Sequence, residues 1–167
     1  MRKLLALVIM VVMASTLALL NGGRSVFAGD CIVIFGGAGG SQSGTTVTGS
    51  DGDDKIDCSG ASAGHTINGG LGNDEIVGSA SVDNIDGGAG RDEIVGGGGG
   101  DVINGGDDRD DLHGGDGGDT INGGGDNDGI HGDDGSDILD GQAGVRDLVN
   151  GGKGTDACSG EKLIACP

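Results

Sequence analysis

One aliphatic side chain returns at a fixed interval through most of this chain. Counted in units that start at Gly49, the eighth place holds Ile56, Ile67, Ile76, Ile85, Ile94, Ile103, Leu112, Ile121, Ile130, Leu139, Val149 and Cys158. Its neighbours at places seven and nine are mostly polar, as in Lys55-Ile56-Asp57 and Asp111-Leu112-His113. Such alternation predicts three-residue strands that turn only the middle side chain inward. Twelve units fill the register: 49–57, 58–68, 69–77, 78–86, 87–95, 96–104, 105–113, 114–122, 123–131, 132–140, 141–150 and 151–159. Ten have nine residues; the second carries two more and the eleventh one more. Both insertions can be placed in loop portions, where added length costs least, so the strands keep phase. Tandem units of this size predict a solenoid, each unit stacking on its neighbours.

Composition narrows the picture. Of 167 residues 42 are Gly, one is Pro and two are Phe, with neither Trp nor Tyr. A single aliphatic column per side is a thin core, and the aromatic residues that supply much of an ordinary interior are missing. Acids outnumber bases 27 to 9, for a net charge of −18. That balance argues against nucleic acid, which requires a basic face, and points to a cation as the partner.

The acids are not scattered. Place six holds Asp54, His65, Asp74, Asp83, Asp92, Asp101, Asp110, Asp119, Asp128, Asp137, Asp147 and Asp156, so eleven of twelve are Asp. Stacked repeats bring such carboxylates close together, and like charges at that range need a counter-charge to stay ionised. Calcium meets the need, being a hard ion that takes six to eight oxygens from carboxylates and backbone carbonyls. The glycines before each Asp let the loop adopt conformations that bare those carbonyls.

Units such as GGLGNDEIV (69–77), GGAGRDEIV (87–95), GGGGGDVIN (96–104) and GGDGGDTIN (114–122) share the pattern GGxGxDxU with U apolar, and GGKGTDACS (151–159) departs only in Cys158. In these residues the chain resembles the RTX, or haemolysin-type, calcium-binding repeat family, over about two thirds of its length. The resemblance implies an all-β fold, a parallel β-roll with two nonapeptide repeats per turn, and calcium held between one loop and the loop two repeats on. It carries a metal-ligand role to Asp54, Asp74, Asp83, Asp92, Asp101, Asp110, Asp119, Asp128, Asp137, Asp147 and Asp156.

The chain itself supports two repeats per turn. Alternate units are the more alike at places seven to nine: EIV, EIV, DLH and GIH at 75–77, 93–95, 111–113 and 129–131, against TIN, NID, VIN, TIN and ILD at 66–68, 84–86, 102–104, 120–122 and 138–140. Cross-strand neighbours interact, so repeat n is expected beside repeat n+2. One edge would carry Asp54, Asp74, Asp92, Asp110, Asp128 and Asp147, and the other Asp83, Asp101, Asp119, Asp137 and Asp156. Six acids leave five gaps and five leave four, which makes about nine calcium ions. Without them, repulsion and a meagre core should leave the chain unfolded.

Several positions depart from the pattern. Asp108 and Asp126 replace the fourth-place Gly, a mild change because Asp visits left-handed geometry more readily than most residues. Unit 58–68 has His65 and an irregular loop, and unit 78–86 keeps Asp83 but loses most of its glycines, so a distorted first turn is expected. His113 and His131 occupy equivalent ninth places. With no third ligand evident beside them, they read as a solvated pair on one face rather than a transition-metal site.

The ends read differently from the repeats. Residues 1–28, with Arg2 and Lys3 before an apolar run from Leu4 to Leu20 and Val26-Phe27-Ala28 at a cleavage-like site, read as a secretory signal, with an uncleaved membrane anchor as the alternative. Its removal would take away Arg2, Lys3 and Arg24 and no acid, moving the charge from −18 to −21. Residues 29–48 read as an N-terminal cap, 49–159 as the roll and 160–167 as a C-terminal cap; CIVIF (31–35) and TTVT (45–48) would cover the first turn, and KLIACP (162–167) would fold over the last. Four cysteines in an exported chain make two disulfides. About six turns at ~4.8 Å separate the ends of a roll by roughly 25 Å, which favours Cys31 with Cys58 and Cys158 with Cys166.

These features lead to an exported calcium-binding β-roll, monomeric, extracellular or at the cell surface, with a structural or surface-binding role toward a glycan or protein and no contact with nucleic acid or, once the signal is gone, membrane. Ice or mineral binding is an alternative, drawn from the Asn/Asp column at 68, 86, 104, 122 and 140, although no Thr column runs down the loops. A calcium-dependent extracellular enzyme is the weaker alternative, since no nucleophile motif lies outside the repeat. The expectation is a protein that is not an enzyme.

Overall fold

A computed structural model describes residues 24–26, 31–37 and 40–166, so most of the expected signal at 1–28 lies outside the described residues. The described residues form seventeen short strands and no helix. One nine-stranded sheet runs in the order Arg24–Val26, Ile32–Ile34, Lys55–Asp57, Glu75–Val77, Glu93–Gly98, Asp111–Asp116, Gly129–Asp134, Leu148–Asn150 and Lys162–Ala165. The second, of eight strands, runs from Ala157–Ser159 back through Ile138–Ala143, Thr120–Gly125, Val102–Asp107, Asn84–Ala89, Thr66–Leu71 and Thr46–Thr48 to Ser41–Ser43. Consecutive strands of the repeat alternate between the sheets, and every neighbouring pair from Lys55 onward in the first sheet, and from Thr46 onward in the second, is parallel. This is a parallel β-roll with two repeats per turn.

Register follows the repeat. Ile94 pairs with Leu112, Ile103 with Ile121, and both insertions are absorbed without slippage, since Ile56 still meets Ile76 and Ile130 still meets Val149. A one-residue slip would turn the aliphatic side chains outward and the polar ones in. Every eighth-place residue from Ile56 to Val149 is buried to within 1% exposure, and Cys158 is partly buried against the same cluster. The core is therefore two facing columns of aliphatic side chains.

One feature differs from the sequence expectation. Most central strands are six residues long rather than three, because pairing continues into the next unit's glycines, as at Gly97 with Gly115 and Gly106 with Gly124. Side-chain alternation marks only where a strand buries an apolar residue; it is blind to backbone pairing across glycines. The end segments extend the two sheets beyond the first and last turns. Ile32–Ile34 pairs antiparallel with Lys55–Asp57, Thr46–Thr48 pairs parallel with Thr66–Leu71, and Lys162–Ala165 pairs parallel with Leu148–Asn150. At the N-terminal end this adds Val33 and Val47 to the core, both fully buried. At the other end Leu163 and Ile164 stay about half exposed. Disulfides join Cys31 to Cys58 and Cys158 to Cys166, one staple at each end of the roll.

Candidate metal centre

The loops between strands are shaped by backbone that few side chains allow. Second- and fourth-place glycines carry positive φ, as in Gly88 at 108° with Gly90 at 123°, and Gly97 at 108° with Gly99 at 125°. Asp108 and Asp126 take the same conformation at φ 73° and 66°, in keeping with the tolerance of Asp for this region. First-place glycines serve a different purpose. A Cβ on Gly69 would lie 2.4 Å from both Asp74 Oδ2 and the carbonyl oxygen of Gly87; on Gly87, 2.4 Å from Asp92 Oδ2 and 2.5 Å from Gly105 O. The missing side chain is the space into which each Asp carboxylate folds beneath its own loop.

Each place-six Asp reaches backward along its edge. The Asp54 N–H donates to Asp74 Oδ1 at 2.7 Å, Asp74 to Asp92 at 2.8 Å, Asp92 to Asp110 at 2.9 Å and Asp110 to Asp128 at 2.9 Å. The other edge repeats this, with Asp83 donating to Asp101 at 2.8 Å, Asp101 to Asp119 at 2.7 Å and Asp119 to Asp137 at 2.9 Å. Asp147 and Asp156 close the two series at 3.1 Å from the N–H groups of Asp128 and Asp137. One carboxylate oxygen of each is thus bound.

The second oxygen is not. Oδ2 of Asp74, Asp92, Asp101, Asp110, Asp119, Asp128, Asp137, Asp147 and Asp156 is buried without a hydrogen-bond partner. Burying an ionised oxygen unpaired is costly, and the carboxyls respond. Burial, reinforced by neighbouring carboxylates and only partly offset by the backbone N–H, pushes Asp92 and Asp110 up to about 7 and Asp74, Asp101 and Asp128 to about 6. Asp119 and Asp137 move the same way for the same leading reason. Such a group must either keep a proton or gain a positive partner. The nearby donors are carboxylate and peptide oxygens, the set a hard divalent cation prefers.

Asp54 and Asp83, the first acids of their edges, are different. Asp54 accepts from the Gly36 and Ser50 N–H groups and from Ser50 Oγ. Asp83 accepts from the N–H groups of His65 and Ser79 and from Ser79 Oγ. Both oxygens of each are satisfied by the protein. Ser50 and Ser79 were not singled out by the repeat pattern; their only mark is Ser at place two, where the regular units have Gly. His65, at place six of the irregular unit, is buried with neither ring nitrogen hydrogen-bonded; its N–H donates to Asp83, and its Nδ1 lies 3.9 Å from Asp83 Oδ1. All eleven sequence-predicted Asp residues therefore line the two edges in the predicted order, nine with an orphaned oxygen and two without.

A family model described as RTX calcium-binding nonapeptide repeat (4 copies) matches residues 63–94, 86–121 and 113–145. No curated protein and no solved structure matches the chain.

Proposed function

The chain belongs to the RTX calcium-binding repeat family through residues 63–145, and on that premise we propose that it is an exported β-roll whose stability comes from calcium held between successive loops, with a structural or surface-binding role outside the cell. The observation that carries the reading is the set of nine orphaned Oδ2 atoms. They fall one to each gap between successive acids, five along the edge headed by Asp54 and four along the edge headed by Asp83. About nine ions are therefore expected, each next to a carboxylate and the carbonyls of adjacent loops.

Bound calcium supplies the positive charge and the oxygen coordination that these buried carboxylates lack. The chain does the rest. Asp Oδ1 ties its rung to the previous one, Oδ2 is presented beneath the loop, and the glycines hold the carbonyls open. With an interior only one aliphatic residue deep on each side, binding free energy becomes folding free energy.

An exported, non-catalytic role follows from how the residues are used. The place-six acids, the loop glycines and the eighth-place aliphatic side chains between Gly49 and Ser159 are taken up by the repeat, and two disulfides suit an oxidising compartment. The outer face of the eight-stranded sheet carries the Asn/Asp ladder in register, with Asn104 and Asn68 both hydrogen-bonded to Asp86. This is the face we assign to contact with a glycan or protein.

Circular dichroism during calcium titration of the chain, with magnesium as control, tests the reading. A cooperative gain of β signal with calcium alone is expected, because magnesium gives up its water reluctantly. An identical spectrum in chelator with the thiols reduced would overturn it.

A further inference from the structure

Three side chains that the repeat leaves over meet on the outer face of the nine-stranded sheet. His113 and His131 pair across adjacent parallel strands, and their rings stack with centroids 4.6 Å apart and planes 7° from parallel. Asp111, two residues before His113, projects from the same face because side chains alternate along a strand. Its cross-strand partner is Gly129. The absence of a side chain there matters, since Asp111 Oδ1 lies 3.3 Å from the point a Cβ of Gly129 would occupy. The carboxylate leans over the neighbouring strand toward His131. One ligand atom each from Asp111, His113 and His131 lies within 4.8 Å of the others. Beside the pair that the sequence reads as solvated, Asp111 brings a third potential ligand atom, and Gly129 leaves the room in which it reaches.

A fourth residue orients the group. His113 Nδ1 is 3.0 Å from Asp133 Oδ2, while its Nε2 faces Asp111 Oδ1 at 3.8 Å. Asp133 stands at place two with φ 69°, a left-handed conformation that Gly88 and Gly106 adopt at the same place in other units. A carboxylate on one ring nitrogen fixes the tautomer and leaves the other nitrogen's lone pair free for a metal.

We propose that Asp111, His113 and His131 form a binding site for a divalent ion of the zinc class, with Asp133 as the residue that positions His113. Two imidazoles and a carboxylate suit zinc and not calcium, which takes oxygen ligands, so the face and the loops select different ions. Three protein ligands leave the fourth tetrahedral position to water. Bonds of about 2.0–2.1 Å bring tetrahedral ligand atoms to roughly 3.3 Å of one another. Asp111 is exposed and His131 half-buried, so both side chains have room to rotate toward an ion. The site uses none of the place-six acids and stands apart from their role.

Zinc titration of the calcium-saturated full chain by calorimetry, and cobalt titration followed by visible absorption, test the proposal. One ion per chain is expected, with cobalt showing the intense bands of a four-coordinate site. His113→Ala and His131→Ala should each weaken zinc binding at least about tenfold, and Asp133→Asn by about 10- to 100-fold, as loss of an orienting carboxylate does. Gly129→Leu should weaken it by displacing Asp111. The calcium-induced circular dichroism of each variant reports the roll separately, and His131→Asn, which copies Asn150 on the next strand, replaces the Ala variant should that one lose the roll. Absence of zinc binding at saturating calcium, or wild-type zinc affinity in the folded His131 variants, would overturn the site.

Discussion

The first acid of each edge and the acids that follow it stand at the same place of the repeat and are satisfied in opposite ways. Asp54 and Asp83 accept three hydrogen bonds each, from Gly36 and Ser50 and from His65 and Ser79. Every later Asp keeps a buried Oδ2 with no donor. The first turn is also tied by Cys31–Cys58 and closed by Val33 and Val47 from outside the repeat. The first acid of an edge has a regular loop on one side only, so it cannot rely on a bridging ion on the other and is completed by hydroxyl and peptide donors. The interior rungs have loops on both sides and are built to be completed by something else. The roll is thus a self-sufficient starter followed by turns that wait for a counter-charge.

The largest effect that would sharpen this contrast is calcium removal followed by hydrogen exchange. In chelator, amides from Ile85 to Leu139 should lose protection, while the last to exchange should be those between Val47 and Cys58, as long as the disulfide is intact. Uniform protection along the chain would erase the distinction between starter and turns.

Acid should substitute in part for calcium. Asp92 and Asp110 are held near 7 against an ordinary value of 3.8, chiefly by burial. In the fold they keep protons that the unfolded chain has already released, so their contribution is fully favourable below about pH 4 and is lost as pH rises through about 7. In chelator, β signal should therefore grow as pH falls from 7.5 to 5. A calcium-free chain that lost structure over that range would contradict the burial of these acids.

Single acids should then separate the two regions. Asp110→Asn should lower the number of bound ions by one or two and raise the calcium needed for half-folding by about tenfold, or ~1.4 kcal/mol. Asp54→Asn should leave the ion count unchanged, whatever it costs in stability. Equilibrium dialysis with calcium measures both, and equal losses of ions would mean that the first acid is no different from the rest. The smallest effect is expected from Ser79→Gly, which restores the regular motif but removes the hydroxyl bond to Asp83, at about 1 kcal/mol in denaturant unfolding of the calcium-loaded protein.

Much of this was legible in the sequence because the repeat reports on itself. The eighth-place column had to be the core, since no other set of apolar residues recurs in phase. The likeness of alternate units disclosed which strands lie side by side, because side chains at 75–77, 93–95 and 111–113 have adapted to one another across the sheet. The Asp column disclosed a cation because no base is spaced to answer it. The parts that break the repeat were harder to read. Val33 and Val47 share no spacing with the core they complete, the strand ends rest on backbone pairing across glycines, and Ser50 and Ser79 resemble minor lapses of a Gly motif until their carboxylate partners are seen.

What the sequence determined by itself is therefore periodic: the strand interval, the inward residue, the acid per loop and the pairing of repeat n with n+2, all consequences of one local unit copied along the chain. What only the tertiary structure decided is local and unrepeated: which acids are left short of a donor, how the ends join the sheets, and the meeting of Asp111, His113, His131 and Asp133. Those depend on which side chain stands opposite which across a sheet, and on the empty place opposite Asp111 where Gly129 contributes no side chain, distances that a linear pattern does not contain.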